Sequence, residues 1–311
     1  MKKALILILI FIIAIVLFLF VSRSGHTQKA VKNRTVVTTI YPLYFMTQRI
    51  AGDTVAVKRL IKPGNEIHSF SPTPADMVIL DRAALFVTLG KDLEPWTEKL
   101  AHATDVEILS LEKELTLIHS GAHHHHHAEE SAPHRSGINP HVWLDFDNDI
   151  KMVRMIRDRL GTLYPEQRAI FVKNASLLME EFGKIKKSYA DGLKTCTKKT
   201  LLVGHDAFGY LERSYGFESK SIMGIFAHSK PNAAKLAALS DLVKMKKLHY
   251  LFIDPMESSK SAVQLARDMD LTLEPLYTLG NISLDLEKKG EDMLSLLRFD
   301  LKQLKKGLEC H

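Results

Sequence analysis

Seven of the chain's fifteen histidines fall in one short stretch: His119, His123, His124, His125, His126, His127 and His134. The stretch runs directly into Asn139-Pro140-His141-Val142-Trp143-Leu144-Asp145. Imidazole binds zinc, copper and nickel well and magnesium or calcium poorly, so this density points to a late divalent transition metal. The run His123 to His127 is internal and embedded in ordinary sequence, unlike a purification tag at a terminus. From about His119 to Gly137 the chain is mostly His, Ala, Glu, Ser, Gly and Pro. No apolar run there offsets the entropy of ordering, and the stretch is expected to be disordered without metal.

Histidines outside the cluster complete a list of candidate ligands, since open or exchanging zinc sites often use three imidazoles. His68 lies in the Pro- and Gly-containing segment 63–77, just after an expected strand, where open α/β sheets place their ligands. A surface loop histidine would look the same. His141 has apolar flanks that imply a partly buried setting, and Asp145 is close enough in sequence to orient its imidazole. His205 follows the apolar run ending at Val203, again at the exit of an expected strand, with Asp206 beside it. His228 and His249 lack such placement and read as structural or surface residues.

The elements that must carry these residues alternate. Thr35 to Ile40, Val55 to Ile61, Ala84 to Leu89 and Val106 to Leu111 read as strands with helical stretches between them. The rhythm resumes with Thr200 to Val203, a short run near Ser221 to Ile225, Leu248 to Ile253 and Leu271 to Leu276. Such alternation implies βαβ crossovers and a mainly parallel sheet, here twice. Between the halves, Phe171, Ala175, Leu178, Phe182, Ile185 and Tyr189 make one apolar stripe on a long helix. It begins near Pro165, stops at Gly192 and reads as a strut joining two lobes. The expected organisation is an N-terminal segment 1–24, an α/β lobe 33–164 containing the His-rich loop 119–137, a linking helix 165–192 and a second α/β lobe 197–311.

Met1-Lys2-Lys3 followed by the apolar run Ala4 to Val21 is an export signal, read equally as a cleaved peptide or an uncleaved anchor. The body is therefore expected in the periplasm or another extracytoplasmic space, with the Lys2 end inside. The formal charge of +6 includes Lys2, Lys3 and Arg23. The remaining basic residues are interspersed with acidic ones, as in Glu180-Glu181 and Lys184 to Lys187, so no nucleic-acid partner is expected. The 46% hydrophobic and 25% charged composition is that of a globular protein. Cys196 and Cys310 are too few for a disulfide scaffold. In an oxidising compartment they fit either one disulfide or two free thiols.

Three segments taken together, Gly64-Asn65-Glu66-Ile67-His68, Asn139-Pro140-His141 and Val203-Gly204-His205-Asp206, in that order and separation, resemble the zinc and manganese solute-binding proteins of ABC transporters, the ZnuA/TroA-like family. The similarity runs from Val36 onward and includes Tyr215-Gly216-Phe217 and Phe252-Ile253-Asp254-Pro255. It implies two α/β lobes, each with a mainly parallel sheet flanked by helices, joined by one long rigid helix with metal in the interlobe cleft. His68 and His141 would be ligands from the first lobe and His205 from the second. Manganese-type members carry a carboxylate after the last strand, but Leu276 to Asn281 contains none. Asp285 is slightly late, which leaves Glu66, Asp254 or water for the fourth position. Three neutral imidazoles and an open place suit Zn²⁺ better than Mn²⁺, as does the His-rich insertion found in many zinc-type members. The implied function is capture of Zn²⁺ by a monomer and delivery to a membrane permease, without catalysis. The alternatives are a manganese-binding member, a zinc metallohydrolase using Asp206 or Glu66 as base, or an adhesin.

Overall fold

A computed structural model describes residues 35–119, 137–224, 233–257 and 260–311. The first sheet contains β1 (Thr35–Thr38), β2 (Ala56–Arg59), β3 (Leu85–Thr88) and β4 (Ile108–Ser110), paired in parallel in the order β2-β1-β3-β4. The second contains β5 (Thr200–Val203), β6 (Glu218–Ser221), β7 (Tyr250–Ile253) and β8 (Thr272–Pro275), also parallel, in the order β6-β5-β7-β8. The central strands β3 and β5 are buried along their whole length, as apolar strands covered on both faces must be. The edge strand β2 alternates exposed and half-buried residues.

Seven of the eight strands fall within their expected segments. The exception is β6, which occupies Glu218–Ser221 rather than the run near Ser221 to Ile225. Helix α6 (Gly209–Tyr215) ends on Gly216 in the left-handed region at φ 70°, and the chain enters the edge of the sheet directly afterwards. Glu218 and Lys220 tolerate that edge because one face meets water. The buried apolar pair Ile222 and Met223 lies just past the strand's end.

Helices cover both sheets. In the first lobe these include α1 (Tyr41–Ala51), α2 (Pro74–Asp81), α3 (Thr97–Ala103) and α4 (Phe146–Leu163). The long helix is α5 (Arg168–Gly192), entered through a 3₁₀ turn over Pro165–Gln167. Its 25 residues span roughly 37 Å at 1.5 Å per residue. All six residues of the stripe, Phe171 to Tyr189, are buried. In the second lobe α7 (Ala233–Lys246), α8 (Lys260–Asp268), α9 (Leu284–Lys288) and α10 (Met293–Gly307) complete the order.

Helix α5 ties the lobes because its stripe meets both. Asn174 Nδ2 donates to Ile50 O of α1 at 3.1 Å, and Tyr189 Oη donates to Leu297 O of α10 at 2.7 Å. One apolar cluster runs from Val36 and Leu43 through Trp143, Phe182 and Tyr189 to Phe252 and Leu297, so both lobes share a core. Polar contacts reinforce the junction: Arg213 pairs with Asp145 at 2.7 Å, and Arg59 with Glu287 at 3.0 Å. Among the described residues no helix is long and apolar enough to cross a membrane, and Ala4 to Val21 lie outside them.

Cys196 and Cys310 form a disulfide that closes a separation of 114 residues. It pins the chain just after α5 to the tail beyond α10, where Lys198 also pairs with Glu309 at 2.6 Å. In the chain-entropy account such a link stabilises mainly by restricting the unfolded chain. A Cys196→Ser/Cys310→Ser double variant should lose about 2–4 kcal/mol in chemical unfolding, with an unchanged circular dichroism spectrum. An unaltered midpoint would mean that the tail's other contacts suffice.

Candidate metal centre

His68 is presented by a loop that its own sequence folds. After β2 the chain turns at Gly64, φ 83°, and the Glu66 carboxylate accepts from the backbone N–H groups of His68 at 2.9 Å and Ser69 at 2.7 Å. Thr73 and Asp76 then form a reciprocal capping box that starts α2, with Pro74 in its first turn. From the second lobe, Asn281 Nδ2 donates to Lys62 O at 2.9 Å and Asn65 O at 2.6 Å, clamping the loop across the cleft.

His141 is buried, and its ring protonation follows from its neighbours. The backbone N–H of His141 donates to Asn139 Oδ1 at 3.0 Å, which identifies that atom as the amide oxygen. The same oxygen lies 2.9 Å from His141 Nδ1, so Nδ1 carries the hydrogen and Nε2 turns a lone pair to the cleft. Asp145 does not orient this imidazole, contrary to the sequence expectation. The intervening 3₁₀ turn, Val142–Leu144, carries it away to cap α4, where it accepts from Asp147 N and Asn148 N and pairs with Arg213. Trp143, in that turn, packs edge-on against His141 with ring centroids 5.3 Å apart. Its Nε1 donates to Thr278 O of the second lobe at 2.8 Å.

His205 leaves the C-terminal end of β5 and is 2% exposed. Its Nε2 is 3.0 Å from His141 Nε2. The His68 ring lies 5.1 Å from that of His141 and 5.5 Å from that of His205. Each of the three offers one ligand nitrogen, and these atoms lie within 4.8 Å of one another. Tetrahedral zinc with bonds of about 2.0–2.1 Å needs nitrogens roughly 3.3 Å apart, so small shifts of the rings make room for an ion. Burial, and then the neighbouring His205 and His68, hold the His141 imidazole well below the usual histidine range. It stays neutral, the form in which an imidazole can bind metal.

The two carboxylates considered for a fourth position have other partners. Glu66 binds the loop backbone as described. Burial raises its carboxyl, but the hydrogen bonds from His68 and Ser69 and the charge of His68 outweigh this and leave it low. Asp254, buried at the end of β7, accepts from Met256 N at 2.8 Å through Oδ1. Its Oδ2 accepts from Thr278 N at 2.8 Å and Thr278 Oγ1 at 2.6 Å. A Cβ at Gly280 would push aside the end of the Ile67 side chain and press against Trp143. The cleft, about 270 Å³, is lined by Glu66, Ile67 and His68 on one side and Met223, Asp254 and Glu257 on the other. Sequence reasoning missed Asn139 and Glu257; the first sits in the Asn-Pro-His motif, whereas nothing in the sequence marks the second. Of the His-rich stretch, His119 is exposed and bridged to Ile138, while His123, His124, His125, His126, His127 and His134 lie outside the described residues.

Residues 36–307 match a family model described as the zinc-uptake complex component A, periplasmic. The chain belongs to that family. It is 32% identical over 291 residues to the zinc-binding lipoprotein AdcA of Streptococcus pneumoniae R6, which covers 92% of this chain and 58% of that relative. The chain thus spans little more than half the length of that protein. It is 29% identical to the high-affinity zinc uptake system protein ZnuA of Bacillus subtilis 168, over 88% of this chain and 87% of the relative. The Zn(II)-bound ZnuA-like domain of pneumococcal AdcA superposes with a TM-score of 0.75 at 30% identity, covering 88% of this chain and 98% of the domain. The family's members are metal-binding transport components rather than enzymes.

Behind His68 a small cavity of about 30 Å³ is lined by Glu94, Trp96 and Trp143 among others. Glu94 is buried, accepts from Thr88 Oγ1 and Leu89 N at 2.7 Å each, and is pushed by burial from an ordinary 4.5 up to about 7. Between those values the folded chain holds a proton that the unfolded chain releases. Stability contributed here is therefore full at low pH, falls as pH rises from 4.5 towards 7, and levels off above it. Glu94→Gln, which cannot ionise, should flatten this dependence and at pH 8 stabilise the metal-free protein by on the order of 3 kcal/mol. Urea unfolding at pH 5 and pH 8 measures it, and parallel pH slopes for both proteins would refute the assignment.

Proposed function

We propose that the protein is the extracytoplasmic solute-binding component of a zinc ABC transporter. It takes Zn²⁺ into the cleft on His68, His141 and His205 and delivers it to a membrane permease. One observation carries this reading: imidazoles from two lobes turn their ligand nitrogens to a common point, within 4.8 Å of one another. Zn²⁺ accepts three nitrogen donors with water from the cleft as the fourth. Mn²⁺ prefers more oxygen, and the nearby Glu66 and Asp254 are engaged elsewhere.

The lobe 33–164 supplies the first two ligands, the helix 165–192 holds the spacing, and the lobe 197–311 supplies the third. The shared core limits rotation of one lobe on the other, so uptake and release proceed through small movements near His205. The segment 1–24 exports the chain and is removed or kept as an anchor, leaving a monomeric body outside the membrane. The His-rich segment connects His119 to Ile138, which are bridged, and Ile138 lies three residues before His141. It acts as a weak, multivalent collector that raises the local ion concentration.

Calorimetric titration of metal-free protein tests the assignment. One tight zinc equivalent and several weaker ones are expected. His68→Ala, His141→Ala and His205→Ala should each weaken the tight equivalent by more than the roughly 10–100-fold of an outer-shell change. Deleting residues 120–136 should remove only the weaker equivalents. Loss of the tight equivalent on that deletion would move the primary ligands into the loop.

A further inference from the structure

Glu257 meets His205 at Nδ1, the ring nitrogen on the far side from the Nε2 that faces His141. It follows β7 in a turn whose geometry Asp254 sets: Glu257 N donates to Asp254 O at 2.9 Å and Met256 N to Asp254 Oδ1 at 2.8 Å. Thr278 holds that aspartate from the next loop. The turn leaves Glu257 Oε1 3.1 Å from His205 Nδ1, with the carboxylate 18% exposed at the wall of the cleft. Nδ1 is buried without a hydrogen bond, because at this ring angle the carboxylate oxygen lies off the direction of an Nδ1–H.

The other nitrogen of His205 decides which tautomer the ring holds. His141 Nε2 presents a lone pair, so at 3.0 Å the hydrogen between the two rings belongs to His205 Nε2. A neutral His205 then has no hydrogen on Nδ1 to give Glu257. A metal ion that takes Nε2 reverses the arrangement. The ring's single hydrogen moves to Nδ1, the ring stays neutral, and the small ring shift that admits the ion turns this N–H onto the carboxylate at the wall of the cleft.

On this basis, and resting on the three-histidine reading above, we infer that Glu257 is a positioning residue for the cargo ion. Its carboxylate fixes the metal-binding tautomer and ring angle of His205. It also places a negative charge one residue away from three neutral ligands and a dication. A carboxylate hydrogen-bonded behind a zinc-bound imidazole typically accounts for 10–100-fold in affinity.

Zinc affinity measured by chelator competition at pH 7, together with ¹⁵N NMR of the histidine rings, tests the inference in the full chain. Glu257→Ala should bind zinc about 10–100-fold more weakly while the metal-free variant melts with the parent. Glu257→Gln keeps an acceptor for Nδ1–H and should fall between the two. In zinc-loaded wild type the His205 ring should show Nδ1–H with slow exchange, and in Glu257→Ala that exchange should be fast. Wild-type affinity and exchange in Glu257→Ala would overturn the inference. A Glu257→Gln variant no better than Glu257→Ala would also overturn it, by placing the carboxylate on the ion itself. Tight binding retained in His141→Ala would instead show that the three-histidine reading had failed. Should Glu257→Ala not fold, Glu257→Gln and the exchange rate decide alone.

Discussion

Two imidazole nitrogens, His141 Nε2 and His205 Nε2, face each other at 3.0 Å although they come from different lobes and 64 residues apart. Neither ring is free to turn away. His141 is bound to Asn139 through Nδ1 and packed against Trp143, while His205 is held at the end of a fully buried strand. The distance between them therefore reports the spacing of the lobes. That spacing is set by the apolar cluster around α5 that both lobes share and by the Trp143 to Thr278 hydrogen bond. A site divided between two bodies can hold an ion tightly only if the bodies do not drift, and here one apolar cluster spans both.

The carboxylates around the centre are used to build it. Glu66 closes the His68 loop, Asp145 caps α4 and binds Arg213, and Asp254 shapes the turn that carries Glu257. This leaves the proposed ligands as three neutral nitrogen donors, a set that favours zinc over ions that seek several oxygens. Neutral donors also suit the proposed delivery role, because an ion held by fewer charges is more easily surrendered.

Much of this was legible in the sequence because the informative residues lie where local rules apply. The 3.6-residue stripe from Phe171 to Tyr189 gave the long helix, and apolar runs ending at Pro, Gly or His located the strand exits that present His68 and His205. What escaped depends on tertiary contact. Strand β6 is polar at Glu218 and Lys220 because it is an edge, so its pattern resembles a loop. Asp145 is four residues from His141, yet a 3₁₀ turn sends it elsewhere, and Asn139 two residues upstream orients the ring. Glu257 meets His205 only because two strands of the second sheet are neighbours, a fact no local spacing encodes.

The central claim is that these three rings share one ion. Zinc K-edge X-ray absorption on the chain lacking residues 120–136, loaded with one equivalent, examines it without interference from the His-rich stretch. Scattering from three imidazoles at about 2.0–2.1 Å with one further light donor is the expected result, falling to two imidazoles in His141→Ala. A first shell with fewer than three imidazoles, or one that His141→Ala leaves unchanged, would contradict the account.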